Sequence, residues 1–205
     1  MHALKTDGTM WGWGINSSGQ LGQNSVVNYS SPVQVPGTTW TKVTASGGVL
    51  SIKTDGTLWA WGSNGAGQLG QNSTTATALS SPIQIPGTTW SHISAGTNCA
   101  YAVKTDGTLW TWGVNDKGNL GQNNTTKYSS PAQIPGTTWN FVTGAEKQAF
   151  ATKTDGSLWS WGYQYFGVLG HNQGGETFCS SPVQVPGTWS TVRLGGQFAS
   201  ALKAV

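Results

Sequence analysis

Charge is scarce in this sequence. Only 8% of its 205 residues are charged, against roughly 25% in an ordinary soluble domain. Ten Lys and Arg against seven Asp and Glu leave a net charge of +3. No run or stripe gathers the cations, so the clustered footprint that nucleic-acid binding requires is missing. Half of them, Lys5, Lys53, Lys104, Lys153 and Lys203, recur instead at one position of a repeat. Cysteine is limited to Cys99 and Cys179 at unrelated repeat positions. That implies no disulfide framework and predicts two small, buried or half-buried apolar residues. No apolar stretch approaches the ~20 residues of a membrane helix, so no membrane insertion is expected. Helical periodicity is absent throughout, and the segment from Met1 to Gly8 has neither the basic nor the apolar region of a secretion signal.

What is abundant is glycine (30 residues), tryptophan (12) and uncharged polar side chains. Lys-Thr-Asp-Gly begins at Lys5, Lys53, Lys104 and Lys153, and a truncated copy begins at Lys203. An interval of roughly 50 residues is the mark of a repeat architecture. Each copy continues with Trp-x-Trp-Gly, Gly-x-Leu-Gly, Ser-Ser-Pro-x-Gln-x-Pro-Gly and a single Trp. All 12 tryptophans fall in these slots. The chain therefore divides into copies at approximately 1–49, 50–100, 101–149 and 150–205, within one domain spanning 1–205.

The motifs predict local structure. Ala102 to Gly113 reads as two strands joined by a tight turn, with Asp106 and Gly107 supplying the positive φ that hairpins demand. Trp110 and Trp112 then share one face of the second strand, and Leu109 and Thr111 the other. Pro131 and Pro135 bracket a short strand, Ala132 to Ile134, and confine it to a sheet edge. Trp139 opens one more. About four short strands per ~50 residues, with no helix, make the sheet of one β-propeller blade.

The run from Thr54 to Gly70, Thr-Asp-Gly-Thr-Leu-Trp-Ala-Trp-Gly-Ser-Asn-Gly-Ala-Gly-Gln-Leu-Gly, resembles the repeat of the regulator of chromosome condensation family. The resemblance appears four times and covers essentially the whole chain. It implies an all-β propeller whose blades are four-stranded antiparallel sheets, in a family that usually closes with seven. Members of the family exchange nucleotide on a small GTPase or inhibit an enzyme. Three arrangements stay open for four repeats: part of a larger ring, association between chains, or closure within the chain. Near-identical copies also predict that blades exchange between chains and that assembly depends on concentration.

Residues able to carry chemistry are few. Asp7, Asp55, Asp106 and Asp155 all sit in the same turn, where Asp before Gly is explained by local backbone hydrogen bonding. His92 occupies a variable, exposed-looking slot shared with Lys42, Phe141 and Thr191, and His171 replaces Gln23, Gln71 and Gln122. No His or Cys spacing forms a metal site. A Ser or Cys nucleophile lacks a neighbouring base and orienting acid in the sequence. The Gly-x-Leu-Gly motif lacks the Lys-Ser/Thr ending of a phosphate loop. No catalytic residue, metal or cofactor is expected, and the chain reads as a non-enzyme.

In a repeat protein the consensus is committed to packing, so binding is sought where a copy departs from it. Copy four does so most: Tyr163, Tyr165, Phe166 and Phe178 replace small or polar residues in loops. Aromatics of this kind are enriched in interface cores. Asp116, Lys117 and Tyr128 of copy three form a second, polar candidate. The expected partner is protein, through self-association or another structural protein, with glycan contact open to the Gln-Asn-Thr loops at Gln71 to Thr75 and Gln122 to Thr126. The composition suits an extracellular or virion-associated scaffold or adhesin, similar to bacterial and phage fibres. The alternative is a soluble protein-binding propeller of the enzyme-inhibitor or GTPase-regulator type.

Overall fold

The computed structural model of the chain describes residues 1–73, 78–172, 175–195 and 198–203, and these contain strands and turns but no helix. Thr74 and Thr75 of the Gln71 to Thr75 loop lie outside the described residues, as do Ala76, Gln173, Gly174, Gly196 and Gln197. The first sheet holds β1 (His2–Leu4), β2 (Met10–Gly14) and β3 (Tyr29–Gln34). The second holds β4 (Trp40–Ala45), β5 (Gly48–Lys53), β6 (Leu58–Gly62) and β7 (Leu79–Ile85). The third holds β8 (Trp90–Ala95), β9 (Cys99–Lys104), β10 (Leu109–Gly113) and β11 (Tyr128–Ile134). The fourth runs through β12 (Trp139–Gly144), β13 (Gln148–Lys153), β14 (Ser157–Gln164) and β15 (Thr177–Leu194). Every pairing is antiparallel.

β15 serves two sheets. Residues 177–188 pair with β14, and residues 189–194 pair with β16 (Ala199–Lys203) in a terminal hairpin. That hairpin repeats the first two strands of a sheet, and among the described residues it pairs with no strand of the first sheet. β4, β8 and β12, each opening on the single Trp of a repeat, pack on one another in succession and form the inner edge of the sheets. The Ser-Ser-Pro strands lie at the outer edges, as the proline spacing predicts. β11 begins earlier than expected, at Tyr128, and runs through Pro131. A register shift between Thr111 and Gly113 absorbs the proline, and an edge position leaves the missing N–H without a ladder partner to disappoint.

The turns follow the sequence with one change. Lys104 N–H donates to the Thr108 carbonyl (3.0 Å), and Gly107 N–H donates to the Lys104 carbonyl (3.0 Å). Gly107 alone takes positive φ, 78°, the geometry of a three-residue hairpin loop with its glycine in the left-handed region. Asp106 does not share it. Its carboxylate instead accepts from Thr108 N–H (3.0 Å) and Thr108 Oγ1 (2.7 Å), and Thr108 Oγ1 accepts from Trp110 Nε1 (2.9 Å). The turn thereby locks the first indole of Trp-x-Trp-Gly.

The second indole of that motif joins one sheet to the next. Trp61, Trp112 and Trp161 are fully buried, at 0% exposure. Their Nε1 atoms donate to the carbonyls of Gln20 (2.9 Å), Gln68 (2.9 Å) and Asn119 (3.0 Å), each in the Gly-x-Leu-Gly loop of the preceding sheet. Around each indole lies an apolar seam. Leu50, Ile52, Leu69, Ile85 and Trp90 enclose Trp112 between the second and third sheets. Removing such a ring forfeits transfer energy and leaves a cavity. Trp112→Ala is expected to cost about 3–5 kcal/mol, read as a lower midpoint in equilibrium denaturation. Trp59→Ala, at a half-buried position, is expected to cost visibly less.

Candidate partner-binding site

The blade-four aromatics are gathered by the hairpin β14–β15. Tyr163 and Phe178 are register partners across it. The Tyr163 and Tyr165 rings stack at 5.9 Å and 22°, and Tyr165 meets Phe166 at 4.0 Å. Phe166 is 77% exposed and Phe178 49%, an unusual outlay of apolar surface in so polar a chain. Tyr163 donates to Glu176 Oε2 (3.0 Å). Partial desolvation, then that carboxylate, raises the Tyr163 phenol above its ordinary value, so it remains a donor at neutral pH.

Cations complete the ledge. Lys117 Nζ lies 5.6 Å from the Tyr163 ring centroid and Lys147 Nζ lies 5.9 Å from it. Lys117 thus joins the group, carried by the blade-three loop, with exposed Asp116 beside it. Tyr128 does not. It packs between the second-to-third and third-to-fourth seams, and its hydroxyl accepts from Asn124 Nδ2 (3.1 Å). Lys147 was invisible to sequence reasoning because the β12–β13 turn shares no motif with Tyr163. The β13–β14 ladder, which sets Gln148 opposite Gly162, and the backbone bond from Tyr163 N–H to the Lys147 carbonyl (2.8 Å) bring them together.

Three of the five recurring lysines share one arrangement. Lys53 Nζ sits 4.7 Å from Trp40 and 4.2 Å from Trp59, Lys104 4.6 Å from Trp90 and 4.8 Å from Trp110, and Lys153 4.6 Å from Trp139 and 4.4 Å from Trp159. Each ammonium is clamped between two indoles of its own sheet. The Lys104 and Lys153 clamps line equivalent clefts of about 350 and 370 Å³, beside Gln71–Asn72 and Gln122–Asn123.

The turn aspartates remain local. Thr9, Thr57, Thr108 and Ser157 hydroxyls, then the backbone N–H groups of the same residues, hold Asp7, Asp55, Asp106 and Asp155 below the usual carboxylate range. Cys99 is buried and Cys179 half-buried, both free. Among the described residues no three metal-ligating side chains come together.

Two histidines differ from expectation. His92 is half-buried rather than exposed: its Nε2 meets the Val142 carbonyl (2.9 Å) and its ring lies tilted against Phe141, centroids 4.5 Å apart. His171 does stand beside a serine, with Nε2 2.8 Å from Ser160 Oγ. However, Ser160 is fully buried and gives its proton to the Leu169 carbonyl (2.7 Å). The imidazole therefore donates to it, as Gln122 Nε2 donates to Thr111 Oγ1 in the third sheet (3.1 Å). A base for Ser160 it is not.

The sequence profile of the regulator of chromosome condensation (RCC1) repeat matches residues 7–49, 55–103, 106–146 and 155–202. The chain belongs to this family. Among curated proteins none matches the sequence significantly. Solved structures show the propeller fold. Human WBSCR16 superposes over 100% of this chain and 55% of its own, with a TM-score of 0.86 at 21% identity. Prp20p from Saccharomyces cerevisiae, described with binding properties toward Gsp1p and histones, matches over 100% and 54%, with a TM-score of 0.86 at 18% identity. Yeast RCC1 (Prp20) in complex with Kap60 matches over 100% and 52%, with a TM-score of 0.83 at 19% identity. The chain spans about half the length of these propellers.

Half-buried His2 sets a pH dependence in this RCC1-repeat chain. Burial, then the nearby N-terminal ammonium, lowers His2 from 6.5 to about 4. The folded pKa lies below the unfolded one, so the fold favours neutral His2. That contribution is complete above pH 6.5 and is lost as pH falls toward about 4, because the unfolded chain takes up the proton first. It amounts to about 3 kcal/mol across the window. Thermal midpoints are expected to fall over this range, and His2→Gln to flatten the slope.

Proposed function

We propose that the chain is a non-catalytic protein-binding module that docks its partner on the blade-four ledge of Tyr163, Tyr165, Phe166 and Phe178. The observation that carries the reading is that Tyr163, Tyr165 and Phe166 pack ring on ring, with Phe178 opposite Tyr163 across the hairpin and Lys117 and Lys147 beside the Tyr163 ring. Exposed rings beside a few polar groups have the character of interface anchors. Few charges and a surface of amides and hydroxyls favour a scaffold in an extracellular or virion-associated assembly. Glycan contact fits the indole-lined clefts beside Gln71 and Gln122.

The second reading is a soluble regulator, favoured by the fold shared with Prp20p and that protein's binding of Gsp1p and histones. A histone-binding face calls for acidic clusters, whereas this chain carries seven acids in all and a net charge of +3.

Site-directed photocrosslinking separates the readings. A photoreactive phenylalanine at position 165 or 178 is expected to yield one discrete protein adduct in extracts of the cells that make the chain. The same probe at Val26, exposed in the β2–β3 loop, is expected to yield none. Equal labelling at all three positions would sink the ledge. Accelerated nucleotide release from a small GTPase, undiminished by Phe178→Ser, would favour the regulator.

A further inference from the structure

Between the second and third sheets, both complete with four strands, lies the cleft of about 350 Å³ lined by the Lys104 clamp. Two hydrogen-bond donors there have no acceptor. Trp90 is 3% exposed, and its buried Nε1 has no partner. Lys104 Nζ, held over the rings of Trp90 and Trp110, meets no carboxylate. Among the described residues the one ion pair joins Lys147 to Glu146 (3.9 Å). Asp106, two residues away in sequence, is engaged by Thr108. Leaving a buried N–H unpaired costs free energy, and folded proteins seldom leave such a group without an acceptor.

The two donors converge on one point. A Cβ on Gly87 would lie 3.4 Å from Lys104 Nζ and 3.7 Å from Trp90 Nε1. Glycine holds φ 99° there and leaves that space as a notch. An oxygen about half an ångström nearer to each would hydrogen-bond both. The next cleft lacks this convergence. Trp139 Nε1 donates to the Pro135 carbonyl (3.3 Å), and a Cβ on Gly136 would lie 3.3 Å from that nitrogen but not within 4 Å of Lys153 Nζ. A donor pair in which one member is a cation selects an anionic acceptor, since charge-assisted hydrogen bonds are the strong ones. The opposite wall supplies neutral groups. Gln71 Nε2 is spent on the Leu69 and Gln84 carbonyls (3.3 Å each), so its amide oxygen remains as an acceptor. Exposed Asn72 gives its backbone N–H to the Ser129 carbonyl (2.8 Å) and keeps its side-chain amide.

We propose that this cleft binds a uronic-acid residue of an acidic oligosaccharide. Its carboxylate enters the notch beside Gly87 and accepts from Lys104 Nζ and Trp90 Nε1. Its ring lies against half-buried Trp110, whose apolar surface suits the C–H face of a sugar, and its hydroxyls meet the amides of Gln71 and Asn72. The volume sits at the lower end of the range for ligand clefts, roughly 300–1,000 Å³. One sugar residue is held while its neighbours extend into solvent. A neutral sugar offers hydroxyls to the two donors but no charge to the ammonium. A carboxylate brings two oxygens to two donors, whereas a sulfate brings a third, and Lys104 is the one cation that lines the cleft. The Lys153 cleft, where one donor is already taken, binds the same residue more weakly. The site rests on the glycan reading of these clefts and takes nothing from the ledge of Tyr163 and Phe178.

The test follows the indole N–H signals in a nitrogen-correlated NMR spectrum of the chain. It is titrated with trigalacturonic acid and, separately, with the fully methyl-esterified trimer. The acid is expected to move the Trp90 signal, identified through Trp90→Phe, while Trp139 responds at higher concentration. The ester keeps ring and hydroxyls but no charge, and is expected to need at least about tenfold more ligand. Lys104→Met keeps an apolar stem between the indoles and removes the cation. It is expected to raise the Trp90 midpoint at least about tenfold, and Lys153→Met to leave that midpoint unchanged. The ester arm uses the unaltered chain, so it decides the matter whatever Lys104→Met does to stability. Equal response to acid and ester would overturn the carboxylate notch and leave the glycan reading standing. No movement of Trp90 with either trimer would sink both. Equal shifts of Trp90 and Trp139, or a midpoint indifferent to Lys104→Met, would reduce the binding to general attraction of a polyanion and overturn the site.

Discussion

The structure depends on an indole wedged into the loop of the sheet before it. Antiparallel sheets radiating from an axis have no hydrogen bonds to hold one to the next except those made by side chains and loops. Trp61, Trp112 and Trp161 supply both terms at once: a large ring removed from water and an N–H that satisfies a buried carbonyl. The rest of the repeat serves that insertion. Gly22, Gly70 and Gly121 sit against the incoming Nε1, and Leu21, Leu69 and Leu120 are fully buried beside them. Asn16, Asn64 and Asn115 brace the loop by accepting the backbone N–H of those leucines (2.8, 3.1 and 2.9 Å). An unbraced loop would leave buried polar groups unpaired, at a cost of about 1–3 kcal/mol each.

That commitment explains where recognition is free to develop. Strands, turns and the Gly-x-Leu-Gly loops cannot vary without opening a seam, so diversity collects at the β14–β15 tip. Electrostatics contributes little at long range. Lys53, Lys104 and Lys153 are folded between indoles, and the turn aspartates are occupied by adjacent hydroxyls. A surface so depleted in free charge recognises by shape, aromatic contact and hydrogen bonding, and binds with little steering. The exposed rings of Phe166 and Phe178 are therefore conspicuous for what surrounds them as much as for themselves.

Much of this was legible in the sequence because the repeat displays its constraints four times. The Asp-Gly turns, the edge strands marked by proline and the tryptophan slots are local rules, and each holds. Asp106 was legible as a turn residue but misassigned in detail. Propensity could not say whether it bends the chain or accepts Thr108, and the three-residue loop gives positive φ to Gly107 alone. His92 and the pairing of His171 with Ser160 were missed for a different cause. Both depend on which neighbour closes over the side chain: Phe141 comes from the next sheet, and Ser160 lies across a loop. The Lys-Trp clamps were half visible, since the lysines recur in phase with the indoles, but a shared phase does not reveal contact. Lys147 beside Tyr163 had no local signal at all.

The polarity of the joint carries the last consequence. Every sheet presents an indole on one side and a carbonyl-bearing loop on the other, so the interface is heterologous, and stacking such units never exhausts itself locally. Nothing in one joint counts how many have already formed. The number of sheets in a ring is set instead by the small rotation accumulated from each to the next, which the packing of β4 on β8 and β8 on β12 determines. The likeness of this chain to about half of much longer propellers over its full length means that it has kept their rotation per sheet while carrying about half their length. A fold of this type thus separates two decisions that a single compact core would merge. The repeat specifies how neighbours meet, and only the number of repeats brought together, in one chain or several, specifies where the ring closes.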